Sequence, residues 1–421
     1  MKMKSMGKIT LLVLCVLLLA GFVTFASGEG EEEKVAVVYS WWDITKSTGI
    51  QELKAGFESK YADEGLKLDF KCIPSKYADK IATIVAGGGD MPDVMMLAMD
   101  KVPQFAGAGL LKDLDEYINE DKTKDLYGVV KTATICDGKT YAVCRDVSTM
   151  CMYVNTTMLD QAGLEIPSED WTLDDFHEIA TKLTKGEGAN KQWGYYFNKH
   201  TDTMYAWLYL FGGGLFDNTT NKSLLSNPES IRGIQYAHDM IYKDKICPTT
   251  SEAQQFGNQV YDPFNANRVG MFYGALSLAS NVSAEFTVLP LPKAINGENI
   301  THAFVNTWTI PAKAKNPELS WKVLDYFSSA EGQEIAVRNK MGLPGSKTAD
   351  VSEFLGEHEY NKYFYEALEY AIPYPTARYG AAYQTLFESL MPIIWDNEDV
   401  DIKAELEDMD TRLNAKLLGI S

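Results

Sequence analysis

The strongest constraint on the fold is an alternation of strand and helix patterns between residues 35 and 98. Residues 35–42, 66–73 and 93–98 have the composition or alternation of strands, and the helical spacing of apolar residues in 50–61 and 77–86 separates them. The order strand, helix, strand, helix, strand is typical of a parallel sheet that is covered by helices. In open sheets of this kind, ligands bind beyond the carboxyl ends of the strands.

The rest of the chain continues this α/β pattern. Thr172 is a suitable N-cap for a helix over 173–183. Strands are predicted at 269–273, 286–291 and 302–311, and helices at 228–242, 317–327, 331–339, 360–370, 383–390 and 400–418. The 421 residues suffice for two or three domains. No Pro/Ser-rich linker divides the chain, which favours lobes built by a chain that crosses back and forth.

The N-terminus has the pattern of a targeting segment. Residues 1–8 are basic, 9–25 are almost wholly apolar, and Ala26, Ser27 and Gly28 are small. This order predicts a secretory signal peptide over 1–28, followed by an acidic linker over 29–34. An uncleaved membrane anchor is the alternative, because the apolar run is nearly long enough to span a bilayer. The bulky Leu14 before Cys15 disfavours a lipoprotein, so we expect an exported protein, periplasmic or extracellular.

Charge and cysteine content exclude several functions. The formal net charge of -19 disfavours binding to nucleic acid or to anionic lipid. Five of the six cysteines follow the signal segment, and Cys136 and Cys144 flank a turn where a hairpin disulfide is conceivable. The cysteines lack zinc-site spacing, and we expect neither a metal nor a cofactor.

Catalytic patterns are missing, whereas aromatic residues are abundant. The five histidines are far apart, and no HExxH, GxSxG or P-loop pattern occurs, so we predict a protein that is not an enzyme. An exported carbohydrate hydrolase remains the alternative, although 58 acidic residues make any carboxylate pair uninformative. The 8 Trp, 23 Tyr and 18 Phe suit a sugar site, because aromatic rings cover the C–H face of a sugar.

A series of motifs occurs in order along the chain: GGGDMPDVMMLAMD (87–100), GLLKDL (109–114), YAVCRDVSTMCMYVNTTML (141–159), AGL (162–164) with Pro167 and Trp171, FNANRVGM (264–271), VLPLP (288–292), WTIPAKAKN (308–316) and EGQ (331–333). In this order they resemble the motifs of one known family, the extracellular solute-binding proteins (family 1) of ABC sugar transporters, which include maltose-binding proteins. The resemblance covers residues 35–345 and weakens beyond them.

The resemblance implies a two-lobed periplasmic binding protein-like (type II) fold with the ligand cleft between lobes joined by crossing hinge segments. Lobe one would comprise 35–145 with 306–343, and lobe two 147–303 with 346–421. The implied function is to capture a mono- or oligosaccharide by lobe closure and to deliver it to the permease subunits of an ABC transporter. We expect a monomer. A polyamine is the rival ligand, and a sensor role is a further alternative.

The resemblance also assigns candidate ligand-binding residues. Asp100 follows the third strand, and Trp42 and Asp43 end the first strand at the same edge. Asp146 and Ser148 lie in the first crossover, although the family often has a carboxylate near the position of Ser148. The remaining candidates are Trp207, Tyr273, Trp308, Arg378 and Tyr379.

Overall fold

The strands form a mixed sheet. The computed structural model describes residues 34–417 apart from 88, 200, 218–219, 221, 258 and 374–379; the predicted signal peptide, Arg378 and Tyr379 lie outside the described residues. The strands are β1 (Lys34–Ser40), β2 (Leu66–Cys72), β3 (Val94–Ala98), β4 (Ile135–Cys136), β5 (Lys139–Thr140), β6 (Ala142–Asn155), β7 (Trp193–Tyr196), β8 (Phe216–Asp217), β9 (Lys222–Ser223), β10 (Val269–Ala275), β11 (Phe286–Leu289), β12 (Thr301–Thr309) and β13 (Ala371–Pro373).

Helices fill the intervals between these strands. They are α1 (Thr48–Lys60), α2 (Tyr77–Gly87), α3 (Val102–Gly107), α4 (Glu120–Thr123), α5 (Gly128–Thr134), α6 (Thr156–Ala162), α7 (Leu173–Leu183), α8 (Thr201–Leu210), α9 (Pro228–Tyr242), α10 (Thr250–Ala253), α11 (Tyr261–Asn265), α12 (Pro317–Phe327), α13 (Ala330–Arg338), α14 (Ser352–Glu357), α15 (Asn361–Glu366), α16 (Gly380–Leu390), α17 (Pro392–Trp395) and α18 (Ile402–Leu417). Within the described residues, none is long and apolar enough to cross a membrane.

Nine of the described strands form one sheet in the order β2-β1-β3-β12-β6-β10-β7, with β11 beside β6 and β13 beside β12. The predicted parallel pairing is confirmed for β1 with β2 and for β1 with β3. β12 instead pairs antiparallel with β3 and β6, and β6 pairs antiparallel with β10 and β11. The long strand β6 was not predicted as a strand.

Local sequence explains where several helices begin. Thr172 and Asp175 form a reciprocal capping box at the start of α7, which begins and ends where the pattern predicts. Asn316 caps α12 by accepting from the Leu319 N–H group, and a proline at the first turn fits there because its missing N–H is not needed. The predicted helix over 360–370 is shorter, since α15 passes into a 3₁₀ turn at Ala367–Glu369.

The core is divided, which confirms the two-lobed α/β architecture. Two hydrophobic clusters enclose β1, β2 and β3, on opposite sides of this half of the sheet. A larger cluster joins β6, β10 and β11 with the helices α6–α9, α11 and α14–α18. This larger core also includes Val129 and Val130 of α5, so the lobe limits given above stay a prediction.

The cysteines are not used as cross-links in the described region. Cys72, Cys144, Cys151 and Cys247 are free thiols. Cys144 is buried, and burial raises its thiol pKa well above the usual range. The conceivable hairpin disulfide between Cys136 and Cys144 is therefore not formed.

Candidate ligand site at the crossover strands

Three segments connect the half of the sheet around β1, β2 and β3 with the half around β10 and β11. The first half of β6 pairs with β12, while the second half pairs with β10 and β11 on the far side. A third segment follows α13, and there the N–H and C=O groups of Leu343 exchange two 2.8 Å hydrogen bonds with Val147. Because β6 belongs to both halves of the sheet, any residue at its centre lies where the two lobes meet.

A β-bulge lies at this meeting point. Asp146 is opposite Asn306 and Cys144 is opposite Thr307, so Arg145 is the extra residue of the bulged strand. Bulges bend a strand and redirect its side chains. Here the Nε group of Arg145 donates to the carboxylate of its neighbour Asp146.

The Arg145–Asp146 pair is almost fully buried, with 7% and 2% of the two side chains exposed. The Asn306 side-chain amide donates to the second carboxylate oxygen of Asp146 at 2.8 Å. One terminal nitrogen of Arg145 lies 3.5 Å from the sulfur of Met96. The pair is therefore compensated internally, as a buried ion pair must be.

Trp42 lies over this pair and remains open to solvent. The guanidinium carbon of Arg145 is 5.9 Å from the centroid of the Trp42 ring, within cation–π range. Trp42 is 36% exposed, which is unusual for so large an apolar side chain. Its carbonyl oxygen accepts bonds from the Ser40 hydroxyl at 2.7 Å and the Ile44 N–H at 2.9 Å, so its backbone is fixed.

Asp100 and Ser148 lie on nearby elements. Asp100 follows β3, its carboxylate is 2.7 Å from the Lys101 ammonium, and 18% of its side chain is exposed. The backbone beside it is tied to β12 by a 3.2 Å hydrogen bond from Met99 N–H to the Val305 carbonyl. Ser148 is half-buried and lies opposite Phe304 across β6 and β12.

Asp43 has a local structural role. Its carboxylate accepts from the backbone N–H of Thr45 at 3.2 Å and from the Thr45 hydroxyl, and it lies 3.7 Å from the Lys46 ammonium. The hydroxyl of Thr45 is the main reason why the pKa of Asp43 falls below its usual value. Asp43 thus caps a 3₁₀ turn and leaves Trp42 as the exposed group at this edge.

Three candidate residues are buried in the structure. Trp207 has no exposed surface, because it lies in the apolar and aromatic run 204–210 of α8 and its ring packs on Tyr236 with centroids 5.6 Å apart. Trp308 is equally buried, because its position on β12 directs it toward Phe327 of α12 at 5.4 Å. Tyr273 is 2% exposed, and its hydroxyl bonds to Thr301 at 2.6 Å. These three side chains are thus buried in packing contacts, and a role for them in ligand binding stays a prediction.

The crossover site accordingly consists of Trp42, Arg145, Asp146 and Asn306, with Asp100 and Ser148 nearby. Arg145 and Asn306 were not among the sequence candidates. For Arg145 a signal was nevertheless present, because two adjacent opposite charges inside a long apolar run are tolerated only when they pair. Within the described residues, no group of three or more His, Cys, Asp or Glu could hold a metal ion.

Two cores joined by crossing strands define a two-lobed binding-protein fold, and comparison with known proteins gives the family. The family model described as "Bacterial extracellular solute-binding protein" matches residues 41–334. Because this match spans more than half of the sequence, the chain belongs to the bacterial extracellular solute-binding proteins.

Individual relatives are distant but extend over most of the chain. A maltotriose-binding protein of Pyrococcus abyssi is 25% identical over 336 residues, which are 77% of this chain and 70% of the relative. An arabinooligosaccharide-binding protein of Bacillus subtilis is 23% identical over 341 residues, 79% of this chain and 77% of the relative.

Solved structures share the fold. An ABC substrate-binding protein of Listeria monocytogenes in complex with cycloalternan superimposes with a TM-score of 0.76, covers 92% of this chain and 98% of its own, and is 22% identical. The cyclic alpha-maltosyl-1,6-maltose binding protein of Arthrobacter globiformis gives a TM-score of 0.78 at 18% identity, covering 91% of this chain and 99% of its own.

Proposed function

We propose that this protein is the exported solute-binding component of an ABC transporter, which captures a mono- or oligosaccharide at the crossover site and delivers it to the membrane permease. The observation that carries the proposal is the exposed Trp42 ring fixed above the buried Arg145–Asp146–Asn306 cluster. An aromatic face beside charge-bearing hydrogen-bond groups suits a sugar, which has both a C–H face and hydroxyl groups. The names of the relatives and neighbours, which bind maltotriose, arabinooligosaccharide and cycloalternan, favour the same ligand class.

The charge pattern favours an uncharged ligand. Asp146 already accepts from Arg145 and Asn306, and Asp100 is paired with Lys101. A polyamine would need free carboxylates, and a phosphorylated ligand would need free cations. A neutral sugar requires neither and can still exchange hydrogen bonds with the Asp100 carboxylate, since 18% of that side chain is exposed.

Paired carboxylates also suit binding better than hydrolysis. A glycosidase needs one carboxyl group that is protonated and ready to donate. Both carboxylate oxygens of Asp146 already accept hydrogen bonds, one from the Arg145 guanidinium and the other from the Asn306 amide, so the group is engaged within the protein. We therefore propose a monomeric binding protein in which the two lobes, with the limits given by the sequence, close about the three crossing segments without making or breaking a bond in the ligand.

The test is a thermal-shift screen of the mature protein, from about Glu29, against neutral oligosaccharides and, for comparison, spermidine. A ligand at a hundredfold excess over its Kd adds about 2.7 kcal/mol and should raise Tm by several degrees. We expect shifts with one or more oligosaccharides, lost in Trp42→Ala, retained in part in Trp42→Phe, and unaffected by the exposed control Ile295→Ala. Absence of any shift in Tm, together with release of hydrolysis products from an oligosaccharide, would contradict this proposal and favour an exported carbohydrate hydrolase.

A further inference from the structure

A cavity whose lining does not include Trp42 lies beside the start of the crossover strand β6. Its volume is about 350 Å³, and α4, α5 and α12 border it together with the start of β6 and the crossing segment at Gly345. Ligand pockets in proteins typically begin at about 300 Å³. Since a cavity of about 150 Å³ accepts benzene, this one has room for two fused rings and a small substituent.

The walls of the cavity are mainly apolar and partly fixed in place. Leu126, Val143 and Trp321 line the interior, and Ile135 at the rim is 46% exposed. The Trp321 ring stacks on Tyr117 with centroids 5.0 Å apart and an interplanar angle of 13°. An apolar ligand would therefore meet a preformed surface, which lowers the entropic cost of binding.

The charge on the wall points to an anionic group on the ligand. The ammonium of Lys122 is already paired with Asp325. The ammonium of Lys131 donates to the Lys124 carbonyl at 3.3 Å, and no carboxylate of the described residues lies within ion-pair distance of it. Glu120 also borders the cavity, but it lies on the exposed side, where water screens it.

The inner wall of the cavity is bonded to two of the crossing segments. Gln333, which is 1% exposed, donates through its side-chain amide to the carbonyl oxygens of Arg145 at 3.1 Å and Cys144 at 3.4 Å. Its side-chain oxygen accepts from the Gly345 N–H at 2.6 Å. Gln333, Cys144 and Gly345 all line the cavity, so a molecule bound there would touch two crossing segments at once.

We propose that this cavity is a second small-molecule site, for a flat apolar molecule that carries one negative charge, and that its occupation changes the affinity of the crossover site. The second half of this statement rests on the proposed function. Coupling is expected because Gln333 joins the cavity wall to the carbonyl of Arg145, the residue under Trp42. A ligand that contacts the open and closed forms differently must shift the balance between them.

The probe for the site is 2-naphthoate, and its cationic match is 2-naphthylmethylamine. Isothermal titration of the mature protein without sugar should show saturable 1:1 binding of naphthoate and binding of the amine at least about fivefold weaker. Lys131→Met should weaken naphthoate binding by about fivefold, the upper value for an exposed ion pair. The control Lys403→Met, an exposed lysine on α18, should leave it unchanged.

A cavity-filling variant locates the site. Leu126→Trp should abolish naphthoate binding, whereas Ile295→Trp, which adds the same ring to an exposed position, should not. If Leu126→Trp fails to fold, the Lys131→Met comparison decides alone. Equal binding of naphthoate and the amine, or unchanged binding in Lys131→Met, would overturn the site.

Coupling is measured separately. The Kd of the sugar should change by about fivefold or more in saturating naphthoate, and sugar should change the Kd of naphthoate by the same factor. Unchanged Kd values would refute the coupling between the two sites but not the existence of the naphthoate site. A protein that binds naphthoate but no sugar would refute the proposed function instead, so the two failures are distinguishable.

Discussion

The side-chain amide of Asn306 donates a 2.8 Å hydrogen bond to the carboxylate of Asp146, and this bond joins two strands that both cross between the lobes. Arg145 completes the cluster from the bulge next to Asp146. Arg145, Asp146 and Asn306 thus bond to one another at the centre of the sheet. Their geometry holds the crossover strands together and simultaneously supports the exposed Trp42.

The first prediction concerns the buried ion pair. Asp146→Ala should lower the free energy of unfolding by about 3–5 kcal/mol, because it leaves the Arg145 guanidinium buried without a counter-charge. The exposed control Asp69→Ala should change it by less than about 0.5 kcal/mol. Urea denaturation followed by circular dichroism measures both variants.

A combined variant separates the charge effect from a packing effect. The triple substitution Arg145→Met, Asp146→Leu and Asn306→Leu replaces the whole polar cluster with apolar side chains, and it should recover at least half of the loss. Stability as low as that of Asp146→Ala would mean that lost packing, rather than an unpaired charge, causes the damage.

The second prediction concerns Gln333. Gln333→Ala leaves the carbonyls of Cys144 and Arg145 and the N–H of Gly345 without this buried partner, so it should cost about 2–3 kcal/mol of stability. The matched control is Gln235→Ala on α9, whose side chain is exposed and bonds only to Asp239 among the described contacts.

Gln333→Ala should also affect lobe closure. Small-angle scattering with and without sugar should show a change in radius of gyration that differs from that of the natural protein, because two crossing segments have lost their tie to α13. Closure and stability equal to those of Gln235→Ala would contradict a role for Gln333 in the hinge.

Local features of the fold were predictable from sequence, whereas the long-range ones were not. The elements between β1 and β3 lie within two residues of their predicted limits, since apolar periodicity and the flanking glycines are local signals. The capping residues Thr172 and Asp175 likewise fix the start of α7. The pairing of β6 with β12 joins residues about 160 positions apart, and no local pattern specifies it.

The same distinction explains the site residues. Trp42 comes just after the end of β1, a position that favours exposure to solvent, and its side chain is exposed in the structure. Trp207 and Trp308 lie inside elements whose surroundings are supplied by distant helices, so sequence position could not show that they are buried. Arg145 was overlooked because a bulge, visible only in the paired strands, turns it toward Trp42.

The third prediction concerns the group beneath Trp42. Arg145→Lys keeps the positive charge but loses the planar guanidinium that faces the ring and bonds to Asp146, so the two residues are not equivalent here. The affinity for the sugar found in the screen should fall by about 1 kcal/mol, or about fivefold. Isothermal titration measures the change.

Arg338→Lys is the matched control for this substitution. Arg338 forms an exposed ion pair with Glu52 on lobe one, and the variant should bind sugar as the natural protein does. If Arg145→Lys also binds with unchanged affinity, Arg145 does not position Trp42 for the ligand.

The fourth prediction uses a partly buried carboxylate in the sheet of lobe one. Asp93 accepts from the Val37 N–H at 2.9 Å, and burial raises the pKa of this carboxyl above its usual value despite that bond. A raised folded-state pKa means that the folded protein binds the proton more tightly than the unfolded chain. Its contribution to stability is therefore fully present below the unfolded pKa and is lost as pH rises through the folded pKa.

Asp93→Asn keeps an acceptor for Val37 but cannot ionise, so it avoids this loss. The variant should be more stable than the natural protein at pH 7, and the difference in unfolding free energy should shrink steadily as the pH falls toward 4. Urea denaturation at several pH values measures the difference. The control is Asp69→Asn at an exposed position on β2, and its difference in unfolding free energy should not follow this trend. If the unfolding free energy of the natural protein instead increases relative to that of Asp93→Asn as the pH rises, the fold stabilises the ionised carboxylate. The inferred direction of the pKa shift is then wrong.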